Sequence, residues 1–106
     1  MPWKMPKCKI TVLRRTINQD LIDEYVGDEN RSIVPCELFK DGQEFLVDRY
    51  YRVPEGFCDW AWADIRYDLL ILAYGGNMPG MKKPGTMIVG CTDWFRPVIF
   101  KIERLD

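Results

Sequence analysis

Cys58, Trp62, Ile65, Leu69 and Leu72 fall at steps of four, three, four and three. Residues three and four apart stack on one side of an α-helix, so this spacing predicts a single apolar stripe over residues 58–74. Asp59, Asp64, Arg66 and Asp68 lie off the stripe. A lone amphipathic helix cannot bury such a face against itself. It needs a facing layer, and the rest of the chain must supply one. Gly75-Gly76-Asn77 reads as the helix stop. These glycines follow a helix instead of opening one, so they lack the N–H cradle of a phosphate loop.

The facing layer shows as two-residue alternation. Cys8, Ile10 and Val12 alternate with Lys7, Lys9, Thr11 and Leu13, which predicts a half-buried strand over 7–15 with Cys8 turned inward. After the turn signal Asp41-Gly42, residues 43–47 read as a second strand, and residues 50–53 as its extension or a neighbour. Residues 86–91 form an apolar strand. Val98, Phe100 and Ile102 alternate with Ile99, Lys101 and Glu103 in a last one. A short helix carries Ile17, Leu21 and Tyr25, with Asn18 or Thr16 as its cap. Residues 28–32 and 78–85 read as loops, and 93–97 as a connector. The order β-α-β-(β)-α-β-β predicts an α+β fold: a small, curled, mostly antiparallel sheet of four or five strands, or an open barrel, packed on one main helix.

At 106 residues, 47% hydrophobic and 13% aromatic, the chain is expected to be one domain, 1–106, with its own core and no extensive disorder. Net charge is −1, which argues against a nucleic-acid partner. Charge is unevenly placed. Lys4, Lys7, Lys9, Arg14 and Arg15 face no acid within the first 15 residues, whereas residues 18–48 carry nine acids against Arg31 and Lys40. Two solvated faces account for this. No apolar run approaches the ~20 residues of a membrane span, and Met-Pro-Trp-Lys-Met-Pro-Lys lacks the apolar centre of a signal peptide. The expectation is a cytoplasmic protein with no membrane partner, in which cysteines are thiols, ligands or core residues and not disulfides.

Those cysteines are the main chemical resource, because the chain has four of them and no histidine. Cys8 belongs to the inward face of the first strand. Cys58 opens the main helix, where unpaired N–H groups and the helix dipole favour an anion; a thiol there becomes a better nucleophile and metal ligand. It is equally the first residue of the buried stripe, which suits a small core residue or a cap. Cys36, after Pro35, and Cys91, at a strand end, stand where a scaffold meets a loop. No C-x-x-C occurs, so zinc-ribbon and ferredoxin spacings are absent. A metal site made of Cys36, Cys58 and Cys91 would require the fold to bring them together.

Among the carboxylates, Asp59 adjoins Cys58 and Asp93 follows Cys91 by two residues. Asp93 serves either as a proton carrier or as an ordinary Asx-turn. Asp64 and Asp68 share a helix face and read as solvated. Trp60, Trp94 and Phe57 flank the same cysteines and are candidates for the walls of a ligand pocket, or for packing and dimer contacts.

The run Pro35-Cys36-Glu37-Leu38-Phe39-Lys40-Asp41-Gly42-Gln43-Glu44-Phe45, Cys58 at the helix start, Gly90-Cys91-Thr92-Asp93, and Val98-Ile99-Phe100-Lys101-Ile102-Glu103-Arg104 together resemble the TIGR04076 family of small uncharacterised proteins. The resemblance runs over most of the chain. In that family a cysteine stands at each of the first three places, so the resemblance implies that Cys36, Cys58 and Cys91 act as a set. Many members have Cys-Pro where this chain has Pro35-Cys36, and Gly-Asp where it has Gly42-Gln43. The resemblance implies no reaction.

Three functions follow as expectations. The first is a small binding or accessory protein whose three-cysteine pocket holds a metal ion, an iron–sulfur cluster or a small thiophilic ligand. The second is an enzyme of isomerase or lyase type with a Cys58 thiolate and Asp93 or Asp59 as proton carrier; the missing histidine argues against Cys-His acyl transfer. The third is an interaction subunit forming a homo-oligomer through Trp60, Trp94 or a strand edge.

Overall fold

The computed structural model describes residues 5–30 and 32–105; Lys4 and Arg31, named above, lie outside them. The elements run β1 (Cys8–Arg15), α1 (Gln19–Tyr25), a single 3-10 turn (Asp28–Asn30), β2 (Glu44–Val47), α2 (Asp59–Ala73), β3 (Thr86–Gly90) and β4 (Val98–Arg104). The fold is α+β, with four strands in the order β2-β1-β4-β3 and every pair antiparallel. The sheet stays open, so the barrel alternative is not formed.

Register follows the alternation in the sequence. Ile10 stands opposite Phe45 on β2 and Ile102 on β4, and Val12 opposite Phe100. These side chains face α2, and Ile65, Leu69 and Leu72 of the stripe are fully buried against them. Each such side chain contributes roughly 1.5–3 kcal/mol by leaving water. Phe39, Phe45, Phe57 and Phe100 close one end of this core, with ring centroids 4.9–6.0 Å apart in mostly edge-to-face pairs.

Two expectations change. Residues 50–53 are not a strand. Tyr51 lies at φ 55°, a left-handed conformation that cannot continue a ladder. Its ring is buried, its hydroxyl donates to the Pro6 carbonyl at 2.5 Å, and Arg66 Nε donates to its carbonyl at 3.0 Å. In α1 the buried residue is Ile22, while Leu21 and Tyr25 are exposed. The Asn18 side chain does not cap this helix; it and Thr16 donate instead to the carbonyls of Trp94 and Pro97, tying α1 to the 93–97 connector.

The C-terminal end of α2 is closed by its glycines. Gly75 N–H donates to Leu72 at 3.0 Å and Gly76 N–H to Ile71 at 2.9 Å, the two bonds of a Schellman motif, with Gly75 at φ 93°. A Cβ on Gly76 would stand 2.6 Å from Ile71 Cγ2 and 2.9 Å from Ile71 O. From β4, Arg104 Nη1 donates to the carbonyls of Leu72 and Gly76 at 2.7 and 3.1 Å. A cation on the carbonyl end of the helix also complements its dipole.

Candidate functional site

Cys36, Cys58 and Cys91 come from three separate stretches of chain (the loop before β2, the N-cap of α2 and the residue after β3), and the fold brings all three to one cleft of about 120 Å³. Leu38, Trp60, Asp93 and Arg96 line it with them. Each cysteine is set in place by backbone restraints near it.

Cys36 sits in the loop before β2. Arg15 holds both ends of that loop: Nη1 donates to the Cys36 carbonyl at 3.3 Å, while its backbone N–H and Nε donate to Asp41 Oδ1 at 2.9 and 3.2 Å. Phe39, sunk in the core, anchors the middle. Cys58 follows a turn in which Phe57 N–H donates to the Pro54 carbonyl at 3.0 Å. Phe57 enters the core, and Cys58, in extended conformation, becomes the N-cap of α2. Its carbonyl accepts the Trp62 N–H at 2.9 Å, but its side chain makes no capping hydrogen bond. Cys91 ends β3. Its N–H donates to the Val98 carbonyl at 3.1 Å, and its sulfur accepts the Val98 N–H at 3.3 Å. Gly90 permits this closeness, since a Cβ there would meet the same carbonyl at 3.0 Å.

A second set of bonds fixes one wall. Asp64 Oδ2 accepts the Thr92 N–H at 2.7 Å, and both its oxygens lie within 3.1 Å of the Thr92 hydroxyl. Trp60 Nε1 donates to that hydroxyl at 2.8 Å. Asp64 is therefore not simply solvated: it joins the start of α2 to the turn after β3. Thr92 lies 28 residues away, and no local pattern announces such a partner.

Asp93 forms the expected Asx-turn, with Oδ1 accepting Phe95 N–H at 3.3 Å. Its other oxygen is 3.1 Å from Arg96 Nε. Arg96 also reaches the Val34 carbonyl at 3.4 Å and borders an adjoining groove of about 430 Å³ beside Ile33 and Glu37. Arg96 was missed in the sequence; its three-residue step from Asp93 is the only signal that marks it.

Of the three aromatic candidates, only Trp60 lines the cleft. Phe57 belongs to the core, packed between Phe39, Phe45, Trp62 and Phe100. Trp94 is 67% exposed and stands outside the cleft lining. Cys8 lies elsewhere, fully buried, with its sulfur 3.4 Å from the Tyr51 hydroxyl. Cys36, Cys58 and Cys91 are thiols and not half-cystines. Among the described residues, no three His, Cys, Asp or Glu side chains are gathered around a common point as a metal-ion site. The cleft thus combines soft sulfur, an indole wall and an arginine–carboxylate pair, with no group of three metal ligands among the described residues.

No protein-family model, curated protein or solved structure matches this chain. No helix among the described residues is long and apolar enough to cross a membrane.

Proposed function

We propose that this is a small binding or accessory protein that takes a compact thiophilic ligand in the cleft of Cys36, Cys58 and Cys91. The observation that carries it is the shared lining: residues 22 and 33 positions apart along the chain meet in one space. The same grouping is what membership of the TIGR04076 family would imply. At about 120 Å³ the cleft is well below the ~300–1,000 Å³ of pockets for organic ligands. It offers about the room of four waters at ~30 Å³ each. An enzyme using Cys58 and Asp93 fits less well, because the Asp93 carboxylate is already held by Arg96 and the Phe95 N–H.

Arsenite, a small probe that bridges thiols, tests this reading. Alkylation mapped by mass spectrometry should show arsenite protecting at least two of Cys36, Cys58 and Cys91 together. Unchanged alkylation at all three in saturating arsenite would overturn it.

A further inference from the structure

We infer that a second site, apart from the cysteine cleft, binds a nucleoside monophosphate, with Arg49 and Arg66 on the phosphate and Tyr74 against the base.

Two grooves adjoin along the C-terminal half of α2. The first, of about 350 Å³, is bordered by Arg49, Tyr50, Tyr51, Arg66, Leu70 and Tyr74. The second, of about 460 Å³, is bordered by Tyr67 and Ile71 and again by Leu70 and Tyr74. Arg66, Leu70 and Tyr74 follow at steps of four, so the helix sets them in one row. Neither groove shares a lining residue with the cysteine cleft. Each falls within the ~300–1,000 Å³ of pockets for organic ligands.

Charge selects an anion. No carboxylate lines either groove. Among the described residues neither Arg49 nor Arg66 pairs with an acid. Both guanidiniums are instead tethered to backbone: Arg66 Nε donates to the Tyr51 carbonyl at 3.0 Å, and Arg49 Nη1 to the Met5 carbonyl at 3.5 Å. Their other N–H groups remain for a ligand. Two such forks at one groove suit a phosphate monoester, which carries nearly two negative charges and three acceptor oxygens.

The tyrosines select a planar ring. Tyr50, Tyr67 and Tyr74 are all exposed. The Arg52 guanidinium lies over the Tyr50 ring, 5.2 Å from its centroid. Tyr67 and Tyr74 carry no ring contact among the described residues. Tyr74 borders both grooves, so a base stacked on it extends into the second while its phosphate stays in the first. A lone phenyl ring would leave the second groove empty.

Titration calorimetry of the full chain with a panel of ribonucleoside 5′-monophosphates tests the inference. At least one should bind with Kd of about 1 mM or tighter. The same nucleoside without phosphate, inorganic phosphate and phenyl phosphate should each bind roughly tenfold or more weakly. Arg49→Gln and Tyr74→Ala should each lower affinity by roughly tenfold, while Tyr74→Phe keeps it. Circular dichroism checks that each variant is folded. Amide NMR shifts should gather at residues 49–51 and 66–74. The inference is overturned if no monophosphate reaches that affinity, if nucleoside or phenyl phosphate binds as tightly, or if Arg49→Gln changes nothing. Shifts centred on Cys36, Cys58 and Cys91, or binding of single-stranded oligonucleotides alone, also overturn it. Arsenite protection of the thiols is independent of every one of these outcomes.

Discussion

At its C-terminal end α2 is closed by the paired Gly75 and Gly76 bonds and by the Arg104 guanidinium. At its N-terminal end it begins on a cysteine whose side chain caps nothing, beside a cleft and an indole that is 62% exposed. The same helix is finished for stability at one end and left chemically open at the other. Serine, threonine, aspartate or asparagine would cap better than cysteine. A cysteine at that position gives up helix stability and keeps a thiol in the cleft.

The comparison breaks most sharply at Gly76. Gly76→Ala drives a Cβ into the Ile71 carbonyl and should cost about 2–3 kcal/mol in urea unfolding. Arsenite protection at the far end should persist in the protein that remains folded. A cost within about 0.5 kcal/mol would mean that the C-terminal motif is not tight. Arg104→Met removes charge-assisted bonds to the carbonyls of Leu72, in the last turn of the helix, and Gly76, just past it, and should cost about 1.5–2 kcal/mol.

Thr92→Val separates Asp64 and Trp60 and should cost about 1 kcal/mol. Unlike the changes at the other end, it should also speed alkylation of Cys58, because the wall beside it loosens. Cys58→Ser reverses the sign. It should raise stability by about 0.5–1 kcal/mol, since a hydroxyl can accept a first-turn N–H, while thiophilic binding falls. A loss of stability there would show that the thiol is held for packing.

The smallest effect is expected at Asp68, midway along α2, where burial pushes the carboxyl above its ordinary value of 3.8. A raised folded value means that ionisation works against folding, so this contribution worsens as pH rises through that range. Asp68→Asn should be more stable than the parent at neutral pH, and the difference should vanish below the ordinary aspartate range. Urea midpoints at both pH values check it.

The stripe Cys58 to Leu72 and the alternation around Ile10 and Phe100 made the helix, the strands and their inward faces legible, because burial imposes its period on the chain. Residues 50–53 misled for the same reason: Tyr51 is buried, but through a left-handed turn that no alternation encodes. The site was legible as a set of residue types and not as an arrangement. Cys36, Cys58 and Cys91 each marked an element end, yet their meeting depends on sheet order. Arg96 and the Asp64–Thr92 bond depend on tertiary contact alone. Phe57 and Trp94 looked equivalent beside the cysteines, and only packing separates a core ring from an exposed one.

The central pair of the sheet is β1 with β4, joining Cys8 to Arg104. Most of the chain must be in place before that pairing can close. Such long-range contacts raise the entropy cost of the folding transition state and slow it relative to helical domains of this size. During synthesis β1 and β2 can pair early, but β1 keeps one edge open until β4 emerges from the ribosome. For that interval a strand carrying Cys8, Ile10 and Val12 presents unpaired backbone to its surroundings, making nascent chains more vulnerable to misassociation than the finished protein.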